Sequence, residues 1–181
     1  MAAMTQAADV VSFWRAAGRE RWFRKDEAFD REFRERFLPA HEAAARGELD
    51  DWAGTAEGAL ALLILLDQFP RNAFRGTPHV YATDTQAREV AERAVAAGFD
   101  RDCDAELRPF FYLPFMHSEH VPDLDRCVEL MQEVGGDSAR FAAHHRDVVR
   151  RFGRFPHRNA VLGRVSTPEE QRFLAEGGFS G

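Results

Sequence analysis

Residues 59–66 form an uninterrupted apolar run, which limits how this chain can fold. Thr55 precedes the run as a plausible N-cap, and Glu57 lies in the first turn, where the helix dipole favours a negative charge. A helix that is apolar on every side must be buried on every side. The run is also too short to cross a membrane, which takes about 20 residues. The sequence therefore predicts a central helix packed among other helices.

Helical periodicity dominates the rest of the chain. Phe29, Phe33 and Phe37 would share one face of a helix over about residues 26–37. Other helix signals are capping boxes at Thr83 and Thr167, a cap at Ser138, Pro122 in a first turn, and glycines at 98, 135 and 153. Strand-like alternation is hard to find. These signals predict an all-α fold of about eight to nine helices in a single domain, residues 1–181.

Composition excludes several classes of protein. A hydrophobic content of 45% with 16 Phe predicts a folded core. The net charge of −6 argues against a nucleic-acid or membrane-surface role, since both favour a basic surface. The two cysteines, Cys103 and Cys127, are too few for a disulfide framework, and residues 1–8 lack the features of a signal peptide. We therefore expect a cytoplasmic protein.

A short element occurs twice, in residues 69–76 and in residues 155–164. Allowing one inserted residue, His157, both copies contain Phe-Pro, then Arg-Asn-Ala, then a glycine and an arginine. Pro70 disfavours helical geometry at Phe69, so we predict that the central helix stops there. Each element would then place a guanidinium and an amide at a helix break, where unpaired backbone N–H groups are available to an anion or a carboxylate.

Asp67 lies near the C-terminal end of its predicted helix, where the dipole disfavours a negative charge. It requires a cationic partner, and Arg71, Arg75 or Arg158 could supply one. In one interpretation these pairs only hold helix ends together. In the other, Asp67 holds the arginines while their remaining donors face a ligand. The sequence leaves both open.

A concentration of arginines follows the last predicted long helix. Arg150 and Arg151 fit an exposed helix end, where cations are favoured. Arg154, Arg158 and Arg164 are instead interleaved with Gly, Phe, Pro and Asn. Such a segment has fixed turns, which would aim these three side chains at one point.

The histidines are candidates for acid–base chemistry. His145 shares a helical stripe with Phe141, Val148 and Phe152, so it would face inward, whereas His144 lies well off that stripe. An inward histidine is either a hydrogen-bonded core residue or, beside an arginine-lined pocket, a general acid or base. Both interpretations stay open.

The run from His117 through Ser118 and Glu119 to His120 also carries candidates. His117 and Glu119 do not share a helical face, so the spacing argues against a metal site, although an irregular loop could bring in His145 or His157. Glu119 as a base beside His117 is comparably plausible. Ser118 lacks the glycine pattern of a nucleophile elbow.

Three segments together carry a family resemblance. Residues 66–72, residues 113–119 and residues 151–159, with residues 162–164 and 166–170 following, resemble the bacterial DUF924 family over nearly the whole chain. The resemblance implies a fold similar to tetratricopeptide-type all-α domains and supplies no reaction. The family's characteristic positions are Asp67, Gln68, Arg71, Asn72, His117, Ser118, Glu119, His145, Arg154, His157, Arg158, Asn159 and Arg164.

The leading hypothesis is a small enzyme or ligand-binding protein with a pocket for an anionic small molecule, a carboxylate or phosphate. His117, Glu119, His145 and His157 would transfer protons, with no metal. The ligand-binding residues would be Asp67, Gln68, Arg71, Asn72, Ser118, Arg154, Arg158, Asn159 and Arg164. The alternative is a tetratricopeptide-like adaptor for a peptide or protein, with exposed aromatics such as Trp22 or Trp52. The sequence names no cofactor and no oligomeric state.

Overall fold

The structure is a computed structural model that describes residues 5–181. All regular elements in that range are helical, so the all-α prediction is confirmed, while a tetratricopeptide-like arrangement stays a prediction. The α-helices are α1 (Ala7–Ala17), α2 (Arg19–Trp22), α3 (Glu27–Ala45), α4 (Ala56–Leu63), α5 (Phe69–Ala73), α6 (Asp84–Ala96), α7 (Leu113–Met116), α8 (Val121–Val134), α9 (Ser138–Phe152) and α10 (Pro168–Ala175).

Contacts divide the chain into two compact units. The first unit extends to Arg75 and resumes over His79–Pro114, and the second comprises Gly76–Pro78 and Phe115–Gly181. The single domain of residues 1–181 stays a prediction.

The predicted central helix is confirmed in the first unit. Every residue from 58 to 70 is buried, and α1, α3 and α6 pack around this stretch. The Thr55 side chain caps α4 by accepting the Gly58 N–H at 3.0 Å. Trp14 and Phe33 pack against one another in the aromatic part of this core, with ring centroids 5.4 Å apart. Burial on all sides follows from a run that offers no polar face to water.

Helix α3 is longer than its predicted range. Asp26, where the predicted range begins, is its N-cap, and the helix continues through Pro39 to Ala45. Ala40, His41 and Ala44 continue the buried face that the phenylalanines begin. A proline inside a helix normally breaks or kinks it. Here, packing of the buried face stabilises the helical turns around Pro39.

Pro70 does not end the central helix, so the prediction that it stops at Phe69 is wrong. A five-residue π-helical segment, Ile64–Gln68, follows α4 directly and leads into α5, where Pro70 occupies the first turn. The Phe69 N–H donates to Ile64 O, five residues back, rather than to the carbonyl four residues back. A proline in the first turn of a helix leaves no N–H unsatisfied, because it has none to donate. The π-helical segment places Pro70 in such a first turn, so the helical path continues beyond it. With α4 and α5 counted as one helix, residues 5–181 contain nine, in agreement with the predicted eight to nine.

Side chains donate to two carbonyls near this wider turn. Leu65 O has lost its usual partner at Phe69 and lies 2.8 Å from Nδ1 of buried His41. Leu66 O lies four residues before Pro70, which has no N–H to donate, and it accepts the hydroxyl of Thr83 at 2.6 Å. Thr83 therefore precedes α6 without capping it through its side chain, and the capping box predicted there is wrong.

We expect Thr83→Val to destabilise the protein by about 2 kcal/mol, because it removes the hydroxyl that donates to buried Leu66 O. The control is Thr85→Val in α6, since Thr85 is exposed and its hydroxyl accepts from Arg88, at 3.2 Å. Urea unfolding of the two variants should separate them by more than about 1 kcal/mol. Equal midpoints would show that Thr83 is not needed to satisfy Leu66 O.

The second unit is built on a helical pair. Helix α8 packs against α9, and its core contains Leu124, Val148, Val149 and Phe155. Asp137 rather than Ser138 is the N-cap of α9, and no side chain caps it, so the predicted cap is wrong.

The predicted capping box at α10 is confirmed. Thr167 Oγ1 accepts the Glu170 N–H at 3.2 Å, and Glu170 Oε2 accepts the Thr167 N–H at 2.8 Å. Within residues 5–181, no helix has the length and apolar character needed to cross a bilayer.

Candidate functional site

Arg71, from the first Arg-Asn element, lies between two buried carboxylates of the first unit. Its guanidinium donates to both oxygens of Asp84, at 2.8 and 3.0 Å, and Nη1 lies 3.3 Å from Asp67 Oδ1. Nη1 also donates to Asp67 O at 2.9 Å. Burial lowers the pKa of Arg71, but the two carboxylates outweigh burial and raise the pKa above its ordinary value. Arg71 is therefore a permanent cation whose donors face carboxylates of its own unit.

The neighbours of Arg71 are also held by groups of the first unit. The Gln68 amide donates to Asp67 Oδ2 at 2.8 Å, and the Asn72 amide donates to Asp30 Oδ1 at 2.7 Å. Arg75 donates to the same Asp30 carboxylate, at 2.7 Å. These contacts join α3, α5 and α6. They favour the interpretation in which carboxylates and guanidinium groups hold helices together.

A continuous polar network forms around the second Arg-Asn element. Arg154 donates to both oxygens of Glu170, at 2.8 and 2.9 Å. Arg164 donates to both oxygens of Glu119, at 2.7 and 2.9 Å, and its Nε donates to Asn159 Oδ1 at 2.9 Å. The Asn159 amide nitrogen lies 3.3 Å from Glu170 Oε2, which completes the chain of contacts. We call these five residues the clamp network.

The two carboxylates of the clamp network are held ionised. Burial raises the pKa of Glu119, but the hydrogen bonds from Arg164 and the Phe155 N–H lower it further than burial raises it. The Arg154 hydrogen bonds are the largest cause that lowers the pKa of Glu170, to about 2. With both oxygens accepting hydrogen bonds, Glu119 is an anchor for residues 155–164 rather than a poised general base.

Arg158 ties the second element to the segment before α8, and Ser118 ties that segment to α8. Arg158 is 7% exposed, donates to His117 O at 2.8 Å and lies 4.6 Å from the centroid of the Phe155 ring. Ser118 is buried, donates to Asp123 at 2.6 Å and accepts the His120 N–H at 3.1 Å. Its hydroxyl thus stabilises the start of α8.

His145 is held in one tautomer on α9. Its Nδ1 lies 2.7 Å from Phe141 O, and because a carbonyl only accepts, Nδ1 carries the proton and Nε2 keeps its lone pair. Burial is the largest cause that lowers the pKa of His145, to about 4, and His117, His144 and His157 lower it further. The ring is therefore neutral at pH 7 and presents an acceptor nitrogen.

The placement of the two adjacent histidines agrees with their predicted faces, since His145 is half-buried and His144 is exposed. Phe141 departs from the predicted stripe: it is 57% exposed in the first turn of α9, whereas Val148 is buried.

One aromatic ring lies among these imidazoles. Phe179 has its centroid 4.5 Å from that of His145, 5.2 Å from His157 and 5.5 Å from His144. Phe155 contacts the same ring at 5.9 Å. We call this group, together with His117, the histidine site. Within residues 5–181 no three His, Cys, Asp or Glu side chains are close enough to hold a metal ion.

The predicted site residues fall into the two units. Asp67, Gln68, Arg71 and Asn72 lie in the first. The nine others lie in the second: His117, Ser118, Glu119, His145, Arg154, His157, Arg158, Asn159 and Arg164. Sequence reasoning missed Asp84 and Asp30, which carry no local marker. It also missed Phe179 and the clamp role of Glu170, although the capping box at Thr167 pointed to Glu170.

Fold and site together define a helical protein whose twin Arg-Asn elements are held by carboxylates, with a histidine cluster in the second unit. The chain belongs to the family described as "Bacterial protein of unknown function (DUF924)", whose model matches residues 10–178. It is similar to a solved structure described as "Structure of Protein of Unknown Function ATU0120 from Agrobacterium tumefaciens". That similarity has 55% identity and a TM-score of 0.93, and covers 94% of this chain and 97% of the other. A comparison with curated proteins gives no match.

Proposed function

We propose that the protein binds an anionic small molecule at the histidine site of its second unit, and that His145 accepts a proton there. The observation that carries the proposal is the arrangement of His145 itself. Its tautomer is fixed by Phe141 O, and its acceptor nitrogen belongs to a ring that contacts Phe155 and Phe179 beside two further imidazoles. A neutral imidazole with a fixed tautomer is suited to accepting a proton from a bound molecule.

The charge of the ligand follows from the groups around His145. The ionisable side chains that act on it most strongly are His117, His144 and His157, each of which is cationic when protonated. A bound anion would offset the repulsion among these rings and favour their charged forms. Arg158 adds a permanent cation to the segment, next to His157 in the chain and bonded to His117 O.

The arginines that the sequence suggested as ligand contacts take a different role in this proposal. Arg154 and Arg164 each use their paired donors on one carboxylate, and Asn159 links the two pairs. The clamp network therefore positions the segment that carries His157 and Arg158. In the first unit, Arg71 has the same bidentate arrangement with Asp84. The two ion pairs of the clamp network supply the rigidity that a preorganised site in the second unit requires.

The proposal predicts anion binding that depends on pH. His145 has a depressed pKa, about 4, in the free protein, and a neighbouring anion would raise it. Proton uptake then accompanies binding, so affinity is greatest below the pKa of the free protein. It falls as the pH rises from that value to the pKa of the bound state, and is constant above it. Calorimetry with sulfate, whose charge is constant over this range, should show binding about tenfold tighter near pH 5.5 than near pH 8.

Two matched variants test whether His145 is the group responsible. His145→Asn keeps a donor for Phe141 O but cannot titrate, so most of the pH dependence should disappear. His120→Asn is the control, because His120 is exposed and its contact is with Asp123, at 3.7 Å. The proposal is wrong if sulfate, phosphate and simple carboxylates all fail to bind, or if the two variants behave alike.

The adaptor alternative receives no comparable support. Trp22, which an adaptor surface would expose, is 6% exposed and donates its indole N–H to Trp14 O at 2.7 Å. Trp52 is half-buried. A peptide or protein partner stays a prediction from the sequence.

A further inference from the structure

Phe179 reaches the histidine site from the segment that follows α10. Helix α10 ends at Ala175, and Gly177 then adopts a left-handed conformation, φ +78°. The Gly177 and Gly178 N–H groups donate to Leu174 O and Phe173 O, at 3.2 and 2.8 Å, in the pattern of a Schellman motif. Within residues 5–181, no backbone-to-backbone hydrogen bond involves residues 179–181. The Phe179 ring attaches this segment to the site by packing against His145, His157 and Phe155.

Gly178 shows that the path of the segment is sterically specified. A Cβ atom at this position would lie 2.5 Å from Phe173 O and 2.7 Å from the Phe173 ring. Only glycine permits the chain to pass so close, and the next residue is the one inserted among the imidazoles. At the far end, Gly181 lies against His157, since a Cβ there would be 3.1 Å from Nε2. Residues 179–181 thus lie against the rings that the proposed ligand would approach.

We propose that the ligand of the histidine site carries an aromatic or similarly flat apolar group, and that this group displaces Phe179 from among the imidazoles. This inference rests on the proposed function and specifies the ligand as an anion that also carries a ring.

The surroundings of Phe179 support that choice of ligand. Three imidazoles and Phe155 contact the Phe179 ring at centroid distances of 4.5–5.9 Å, which are typical of aromatic pairs. Phe155 also lies under the Arg158 guanidinium, at 4.6 Å. Phe155 thus contacts both the position that the Phe179 ring occupies and the Arg158 cation. A molecule with a ring and an anionic group can use both, whereas sulfate or acetate can use only the charged part.

Benzoate and acetate test the proposal, because they share a carboxylate and differ in the ring. In the unaltered protein, benzoate must compete with Phe179, whereas acetate need not. Phe179→Ala removes the competitor, so benzoate affinity should rise about tenfold while acetate affinity changes less than about twofold. Gly178→Ala should act in the same direction, since its methyl group pushes the segment away with the Phe179 ring intact. Ser180→Ala, at an exposed position, should change neither affinity.

The outcomes separate this inference from the proposed function. If acetate and benzoate bind equally well and Phe179→Ala alters neither, anion binding stands and displacement of Phe179 is wrong. If benzoate binding weakens in both Phe179→Ala and Gly178→Ala, the ring contributes to the site rather than blocking it, and the inference is also overturned. If no anion binds any variant, the proposed function fails and this inference fails with it. Circular dichroism establishes that each variant is folded, and Gly178→Ala retains the test if Phe179→Ala does not fold.

Discussion

Glu170→Gln is expected to destabilise the protein by about 3 kcal/mol, although it changes a single atom type. Glu170 is 2% exposed and accepts hydrogen bonds from Arg154, Asn159 and the Thr167 N–H. Both oxygens of Glu170 accept hydrogen bonds, whereas the glutamine amide has only one oxygen. Its NH₂ group would therefore face N–H donors that it cannot accept from. The substitution would also leave Arg154, which is 27% exposed, without its counter-charge. Removing one partner of a buried ion pair typically costs about 3 to 5 kcal/mol.

Glu169→Gln provides the matched control. Glu169 pairs with Arg151 at 2.9 Å, but both side chains are more than half exposed, so the loss should stay below about 1 kcal/mol. Urea unfolding measures both variants. If the two losses are equal, the clamp network does not stabilise the second unit.

The stability loss in Glu170→Gln should also depend on pH. The pKa of Glu170 is depressed from 4.5 to about 2 in the folded protein. Its stabilising contribution is therefore complete above pH 4.5 and is lost as the pH falls towards 2. The difference in stability between the unaltered protein and Glu170→Gln should narrow over this range. A difference that is constant with pH would contradict the cause assigned to the shift.

The helix starts that the sequence predicted correctly are those whose donor and acceptor are close in the chain. Asp26, Thr55 and Thr167 each accept backbone N–H groups within three residues. Thr83 carries the same sequence signal, but its hydroxyl donates to Leu66 O, 17 residues away. No local pattern indicates that a distant carbonyl needs a donor, so the capping box was predicted where a tertiary contact forms.

Pro70 illustrates the same limit in the helix interior. The rule that proline ends a helix concerns the backbone groups it leaves unsatisfied. Here His41 and Thr83 satisfy the carbonyls of Leu65 and Leu66, and a π-helical segment absorbs the change in geometry. These donors lie on other elements, so their availability could not be inferred from residues 59–76.

For the candidate site, the sequence identified polar residues better than their partners. Arg154, Asn159, Arg164 and Glu119 were selected and do share one network. The arginines could either hold helices together or face a ligand, and the two interpretations differ only in the partners of the arginine N–H groups. Those partners are buried carboxylates such as Asp84 and Glu170. An acidic residue at a helix start looks the same in sequence whether it caps, is solvated or accepts a buried guanidinium.

Arg71→Ala is expected to cost about 4 kcal/mol, because it leaves two buried carboxylates without their cation. Asp67 and Asp84 have side chains only 2% and 9% exposed, and Arg71 is their shared partner within the first unit. Arg71→Lys should recover part of the loss, since an ammonium keeps the charge but lacks the fork that reaches both oxygens of Asp84. Arg75→Ala, from the same Arg-Asn element, should cost less than about 1 kcal/mol, because Arg75 is 40% exposed.

The three variants also decide between the two interpretations of this element. If Arg71 holds the first unit together, urea unfolding should rank Arg71→Ala, Arg71→Lys and Arg75→Ala in that order of loss, and the sulfate affinity of folded Arg71→Lys should match that of the unaltered protein. If Arg71 instead faces a ligand, Arg71→Lys should unfold at nearly the same urea concentration as the unaltered protein and bind sulfate more weakly. The bidentate contact with Asp84 favours the first result, because a guanidinium held by a buried carboxylate on both of its outer nitrogens has little left to offer an anion.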